Sequence, residues 1–117
     1  MPGSSVVVYG AGGVGLSVVM GAKLAGAAKI IVVDISDSKK DLAESFGATH
    51  FLLSEKGTLD EIRAITDGLG ADYVFEAVGK TDLESKLVDT IRPGGTAVMI
   101  GFPASGEKIQ VLSLIHI

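Results

Sequence analysis

Cysteine and tryptophan are both absent from the 117 residues, and aromatic side chains make up only 5% of them. Without cysteine the chain builds no disulfide framework and no thiolate zinc site. Long apolar runs are missing too: none approaches the ~20 residues that a membrane span needs. The start, Met1-Pro2-Gly3-Ser4-Ser5, lacks the basic region of a signal peptide, so none is expected. Positive charge is in short supply, with 10 Lys and Arg against 14 Asp and Glu and a net charge of −4. That balance argues against nucleic acid, which needs a basic face. The expectation is a soluble, cytoplasmic chain with no membrane and no nucleic-acid partner.

What is present points to a compact α/β domain. Hydrophobic residues make up 47% and charged residues 21%, which excludes disorder. The length fits one domain, able to bury roughly two-thirds of its unfolded surface. Glycine stands at 16 residues, about twice its usual share of ~7%.

The chain alternates short apolar runs with helical segments. Ser5–Tyr9 reads as a buried strand ending at Gly10. Val14–Ala25 reads as a helix with Leu16, Val19, Met20 and Leu24 on one face and Gly26 as its stop. Ile30–Val33 is a second strand, closed by Asp34. Asp37 is expected to cap a helix through Phe46, stopped by Gly47. Thr49–Leu53 is a third strand, and Thr58 caps a helix through Ile65 that ends near Gly68. Tyr73–Phe75 is a fourth strand. A helix from Thr81 through Ile91 is ended by the turn Pro93-Gly94-Gly95, and Thr96–Ile100 is a fifth strand. Strands that are apolar on both faces and joined by helices give a doubly wound parallel sheet. About five strands are expected, with a sixth missing or incomplete.

The chemistry sits in Gly10-Ala11-Gly12-Gly13-Val14-Gly15, which matches G-x-G-x-x-G through Gly10, Gly12 and Gly15. Gly10 permits the tight turn, Gly12 leaves room for a pyrophosphate, and Gly15 lets the helix pack close to the strand. The following helix N-terminus offers free N–H groups and a positive dipole. A P-loop would need Gly-Lys-Ser/Thr, which is not there. Alone such a pattern is weak, but here it lies between a strand and a helix. Asp34 follows Gly15 by nineteen positions, at the end of the second strand, where a carboxylate accepts from ribose hydroxyls. The same carboxylate repels a 2′-phosphate and no Arg stands beside it, so NAD is expected rather than NADP. Ile35 is placed to pack against adenine. Lys39 is placed to reach the ribose or phosphates, or to stay a solvated helix charge beside Lys40.

Ligands bind outside the carboxyl ends of such sheets. The ends of strands four and five carry Gly79 and Gly101, which would let backbone approach the nicotinamide half; plain turn chemistry is the competing reading. Catalytic apparatus is not found. Hydride transfer needs a group that polarises a carbonyl or alcohol and moves a proton. His50 enters strand three and His116 lies in the tail, both away from the loop. Glu76 is the carboxylate nearest the crevice and reads as structural, and Tyr9 and Tyr73 read as packing residues.

Several stretches in order and spacing carry a resemblance. Val6–Gly15, Gly26–Asp34, Phe46–Thr49, Gly70–Gly79 and Arg92–Thr96 resemble the NAD-binding, or Rossmann, domain of medium-chain zinc-type alcohol dehydrogenases. Leu16–Ala22 looks closest to class III-like members. The resemblance covers Pro2 to about Val111. It implies NAD(H)-dependent oxidation of a primary alcohol or reduction of an aldehyde. By that likeness Asp34 and Lys39 hold the adenosine ribose, Gly12, Gly13 and Val14 meet the pyrophosphate, and Val78, Gly79, Ile100 and Phe102 line the nicotinamide half. The family's zinc ligands belong to a separate catalytic domain, expected as a missing partner, and nothing here matches them. The parent enzyme is expected to be a homo-oligomer.

The expected domain is 1–111, a fragment of a larger enzyme. The tail Leu112–Ile117 is what CTG TCT CTT ATA CAC ATC encodes, similar to a transposon end used in sequencing-library preparation, and is read as non-native; a sixth apolar strand is the alternative. Two other functions share some features. A stand-alone NAD-sensing module would keep the loop and Asp34 without the later motifs. A methyltransferase using S-adenosylmethionine usually has an acid just before the loop, where Tyr9 stands.

Overall fold

The computed structural model describes residues 3–55, 57–77, 89–101 and 111–116. Six strands form one sheet: β1 (Ser5–Tyr9), β2 (Lys29–Asp34), β3 (His50–Leu53), β4 (Ala71–Glu76), β5 (Ile91–Gly101) and β6 (Val111–His116). Their order across the sheet is β3-β2-β1-β4-β5-β6. The first five run parallel, as the buried apolar runs require. The chain therefore winds outward from β1 in one direction and then in the other, which makes the end of β1 a switch point.

Three helices are described: α1 (Gly13–Leu24), α2 (Lys40–Phe46) and α3 (Thr58–Ile65). Alternation along the strands divides the core in two. Val6, Val8, Ile30 and Val32 pack under α1 and α2 with Leu16, Val19 and Ala43. Val7, Tyr9, Ile31, Val33 and Val74 pack on the other side with Ile62 of α3. Strands buried on both faces explain the unbroken β-branched runs of β1 and β2.

Several local expectations change. α1 turns Leu16 and Val19 inward but leaves Met20 and Leu24 44% and 82% exposed. The close approach of Gly15 to the backbone of Gly10 fixes the helix's rotation, and residues 20 and 24 then lie on the far side of a 3.6-residue turn. Ser36, not Asp37, caps the second helical segment: its hydroxyl accepts from the N–H of Ser38, and a 3₁₀ turn over Asp37–Lys39 precedes α2. The N-cap of α3 is Gly57, at φ 92°. Thr58 instead ties the preceding loop, with its hydroxyl accepting from the N–H of Glu55 and donating to the carbonyl of Leu53.

The helix expected over Thr81–Ile91 falls largely outside the described residues; Asp89 and Thr90 are helical as expected, but Ile91 belongs to β5 and pairs with Ala71. Pro93-Gly94-Gly95 is therefore not a turn before the strand. It lies within β5, where the register jumps between Ala71–Ile91 and Tyr73–Thr96, with Gly94 at φ 81°. Strand β5 starts early because Arg92 is held there: its guanidinium donates to the carboxylate of Asp72 on β4. Asp72 also accepts from the N–H of Ser5 at 2.9 Å, so one carboxylate joins three strands at their N-terminal ends.

The sixth position of the sheet is filled. Val111–His116 pairs antiparallel with Thr96–Gly101, so the tail forms a strand that runs across the expected boundary at 111/112.

Candidate functional site

The glycine loop leaves the carboxyl end of β1 between the ends of β2 and β4. The N–H of Gly10 donates to the carbonyl of Val33, and the N–H of Ala77 donates to the carbonyl of Tyr9, closing the loop's base from both sides. Gly10 has φ 106°, a conformation that other residues rarely adopt. A Cβ on Gly15 would lie 1.8 Å from the carbonyl oxygen of Gly10. Only glycine allows the first turn of α1 to sit this close to the strand.

Gly12 and Gly13 behave differently. Both are exposed, and a Cβ on either would meet nothing within 4 Å. Gly12 is the N-cap of α1, and no side chain caps that end. The first turn carries no acidic residue, while Lys23 sits in the last. The result is an open ledge of small residues at a helix N-terminus whose N–H groups and dipole favour an anion. Val14 stands half-buried at the start of that turn.

Asp34 faces the loop from β2. One carboxylate oxygen accepts from the N–H of Ala11 at 2.7 Å, and the other from the N–H of Ser36 at 3.2 Å. A carboxylate offers about four lone-pair positions, so two stay available on a half-buried side chain. The bond to Ala11 was not anticipated from sequence. It makes Asp34 a clasp on the loop as well as an acceptor beside it. Ile35 follows, 78% exposed, beside this carboxylate in sequence. Lys39 is exposed at the end of the 3₁₀ turn.

Ile100 and Gly101 end β5, at the same carboxyl edge as the loop because β5 runs parallel to β4. Val78, Gly79 and Phe102 lie outside the described residues. Glu76 is buried at the end of β4, opposite Tyr9 in register. Tyr9 is itself buried, and burial pushes its phenol above the usual value despite the hydroxyl of Thr90 beside it. His50 opens β3 at the amino edge of the sheet, with Nδ1 2.9 Å from the Thr49 hydroxyl, so it is held far from the loop. Among the described residues no three His, Cys, Asp or Glu side chains converge as a metal site would require.

A parallel sheet, a glycine turn at its switch point and an acid closing the second strand define a dinucleotide-binding domain of the Rossmann type. Comparison with known proteins carries this further. The family model described as "Zinc-binding dehydrogenase" matches residues 13–116, and the chain belongs to that family. It corresponds to the nucleotide-binding domain of medium-chain zinc-type alcohol dehydrogenases.

Similar proteins include an S-(hydroxymethyl)glutathione dehydrogenase of Aspergillus oryzae, 45% identical over 92% of this chain and 29% of that protein. The class-3 alcohol dehydrogenase of Pisum sativum is 43% identical over 113 residues, 93% of this chain and 30% of that one. Among solved structures, benzyl alcohol dehydrogenase from Acinetobacter calcoaceticus superposes with a TM-score of 0.83 at 38% identity, covering 94% of this chain and 30% of that one. The chain thus spans about 30% of the length of the curated relatives it matches. No helix among the described residues is long and apolar enough to cross a membrane.

Proposed function

We propose that this chain is the NAD(H)-binding part of an alcohol dehydrogenase-type oxidoreductase. The observation that carries the reading is the open ledge at Gly12 and Gly13 with the Asp34 carboxylate clasped across it. The ledge takes the pyrophosphate on backbone N–H groups, at a place where a methyl group would intrude. The free lone pairs of Asp34 accept from the adenosine ribose hydroxyls, and its charge repels a 2′-phosphate. Ile35 offers an apolar surface to adenine and Lys39 a cation to the ribose or phosphates. Ile100 and Gly101, at the end of β5, are assigned to the nicotinamide half, and the family resemblance assigns Val78, Gly79 and Phe102 to it as well.

When bound, the nicotinamide supplies the hydride; this chain's residues bind and orient it. The group that polarises an alcohol or aldehyde is assigned to the catalytic domain of the parent enzyme, together with its zinc. No set of ligands for that metal is found among the described residues. The parent enzyme is assigned to the cytoplasm as a homo-oligomer.

The test is a titration of NADH fluorescence with the isolated chain, with NADPH and S-adenosylmethionine as competitors. The chain should bind NADH weakly, prefer it to NADPH and turn over no alcohol. Preference for S-adenosylmethionine over NADH overturns the assignment.

A further inference from the structure

The sequence contains no asparagine, and Asp67 alone among its aspartates precedes a glycine. The pair Asp67-Gly68 ends α3, at the amino edge of the sheet and away from the glycine loop. Asp67 has φ 60°, and no other non-glycine residue among those described has a positive φ. With Thr66 as the C-cap of α3, Asp67 takes the left-handed place that glycine usually fills at a helix end. The N–H of Gly68 donates to the carbonyl of Arg63 at 2.6 Å, as that kind of ending requires.

The loop is pinned on both sides and open between. Thr66 and Gly70 are buried, and the N–H of Gly70 donates to the Thr66 hydroxyl at 3.1 Å. Residues 67, 68 and 69 are all exposed. A Cβ on Gly68 would meet nothing within 4 Å. The Asp67 side chain is 85% exposed and lies 3.8 Å from Lys29 Nζ. That ammonium is engaged elsewhere, donating to the carbonyl of Ile65 at 2.5 Å.

We propose that Asp67-Gly68 is a site of spontaneous modification, where the peptide bond migrates to the side-chain carboxyl of Asp67. The Gly68 nitrogen attacks Cγ of the protonated carboxyl. The nitrogen's proton and the carboxyl hydroxyl leave as water, and a five-membered succinimide closes. Water then adds at the former backbone carbonyl carbon, the C–N bond there breaks, and nitrogen takes the proton. The chain now runs through Cβ, the old α-carboxyl is free, and the mass is unchanged. No oxidant, metal or other reactant enters.

Glycine leaves the attacking nitrogen unshielded, because it has no side chain. The gate is the bond from Gly68 to Arg63, which must open before the nitrogen can reach Cγ. It belongs to an exposed helix end, where local opening is easiest. Side chains rarely hold a left-handed conformation, so the backbone at Asp67 favours that opening. The extra main-chain carbon bulges outward between the two pinned residues. The product, an isoaspartate with a free α-carboxylate, is a methyl acceptor for carboxyl methyltransferases that use S-adenosylmethionine.

The test keeps the folded chain for several weeks at physiological temperature and neutral pH, then digests it. Peptides are scored with an isoaspartate-specific carboxyl methyltransferase and labelled S-adenosylmethionine. Label at residue 67 should exceed that at Asp37, which precedes serine, at least tenfold. Comparable label at both, or label at 67 in urea with none in the folded chain, overturns the proposal. Asp67→Asn tolerates the same backbone, and its ring closes by loss of ammonia. That variant should gain one mass unit at residue 67, faster than the parent isomerises; an unchanged mass shows that the Gly68 nitrogen does not reach Cγ and overturns the proposal. Asp67→Glu would have to close a six-membered ring, so residue 67 should lose its label, and label equal to the parent's overturns the proposal as well.

Discussion

Replacing Gly15 by alanine should damage the fold, and replacing Gly12 by alanine should damage only binding. The two glycines are three residues apart in one loop, so the contrast tests the geometry rather than the composition. At Gly15 the new Cβ would sit 1.8 Å from the Gly10 oxygen and 2.9 Å from its carbonyl carbon. Ordinary contact between such atoms is about 3.5 Å, so α1 must retreat by roughly 1.5 Å from a close-packed strand. Neither obstructing atom belongs to a side chain that can rotate away.

Overpacking typically costs ~1–3 kcal/mol, and two backbone segments in collision put this site at ~3 kcal/mol. For a domain of this size that lowers the melting temperature by about 12 °C or more. At Gly12 the Cβ meets nothing and φ is −78°, so the melting temperature should stay within about 2 °C of the parent, given that exposed sites usually move by less than ~0.5 kcal/mol. The methyl group nevertheless stands on the pyrophosphate ledge, and NADH affinity should fall about tenfold, or ~1.4 kcal/mol. Circular-dichroism melts and NADH titration measure both variants. A Gly15→Ala protein that melts with the parent, or a Gly12→Ala protein that loses stability but binds NADH normally, refutes the assignment of roles.

Asp34→Ala removes the acceptor for the Ala11 N–H, so stability should fall by ~1–3 kcal/mol, NADH should bind more weakly and discrimination against NADPH should relax; paired titrations of both cofactors check this. Asp72 is pushed up by burial, but bonds from the Ser5 N–H and the Arg92 guanidinium outweigh that and hold its carboxyl below the usual range. Its contribution is therefore complete above the ordinary carboxylate value and is lost as pH falls through the lowered one. Asp72→Asn should cost ~1–3 kcal/mol at pH 7 and flatten the acid limb of a urea-midpoint profile between pH 7 and 3. Thr58→Val leaves the Leu53 carbonyl and Glu55 N–H without their hydroxyl partner and should cost ~1–2 kcal/mol, seen as a lower urea midpoint with an unchanged slope.

The parts of this molecule that were plain in the sequence are those where backbone geometry allows one residue type. Gly10 and Gly15 stand where a positive φ and a 1.8 Å approach leave no other choice, and Asp34 sits at a strand end fixed by the run before it. Other readings went astray where a neighbour far along the chain decides. Met20 and Leu24 have the spacing of a buried face, yet the Gly15 contact turns them outward. Pro93-Gly94 has the composition of a turn, but the bond from Arg92 to Asp72, twenty residues away, starts the strand before it and carries the pair as a bulge. The direction of β6 was not legible either, because an apolar run has no polarity of its own. Tyr73 reads as a packing residue, and it does pack with Phe75 against the α1-side core, both staying partly exposed among the described residues.

Strand β1 is at once the first in the chain and an inner strand of the sheet. During synthesis it gains β2 as soon as Asp34 has emerged. Its other edge, Val6–Tyr9, waits for Tyr73–Glu76. At 5–20 residues per second, that leaves an unpaired β-branched edge on the ribosome for roughly 2–8 s. The nascent chain is therefore most prone to misassociate before its fourth strand appears, and slowing translation between codons 35 and 70 should lower the yield of soluble protein.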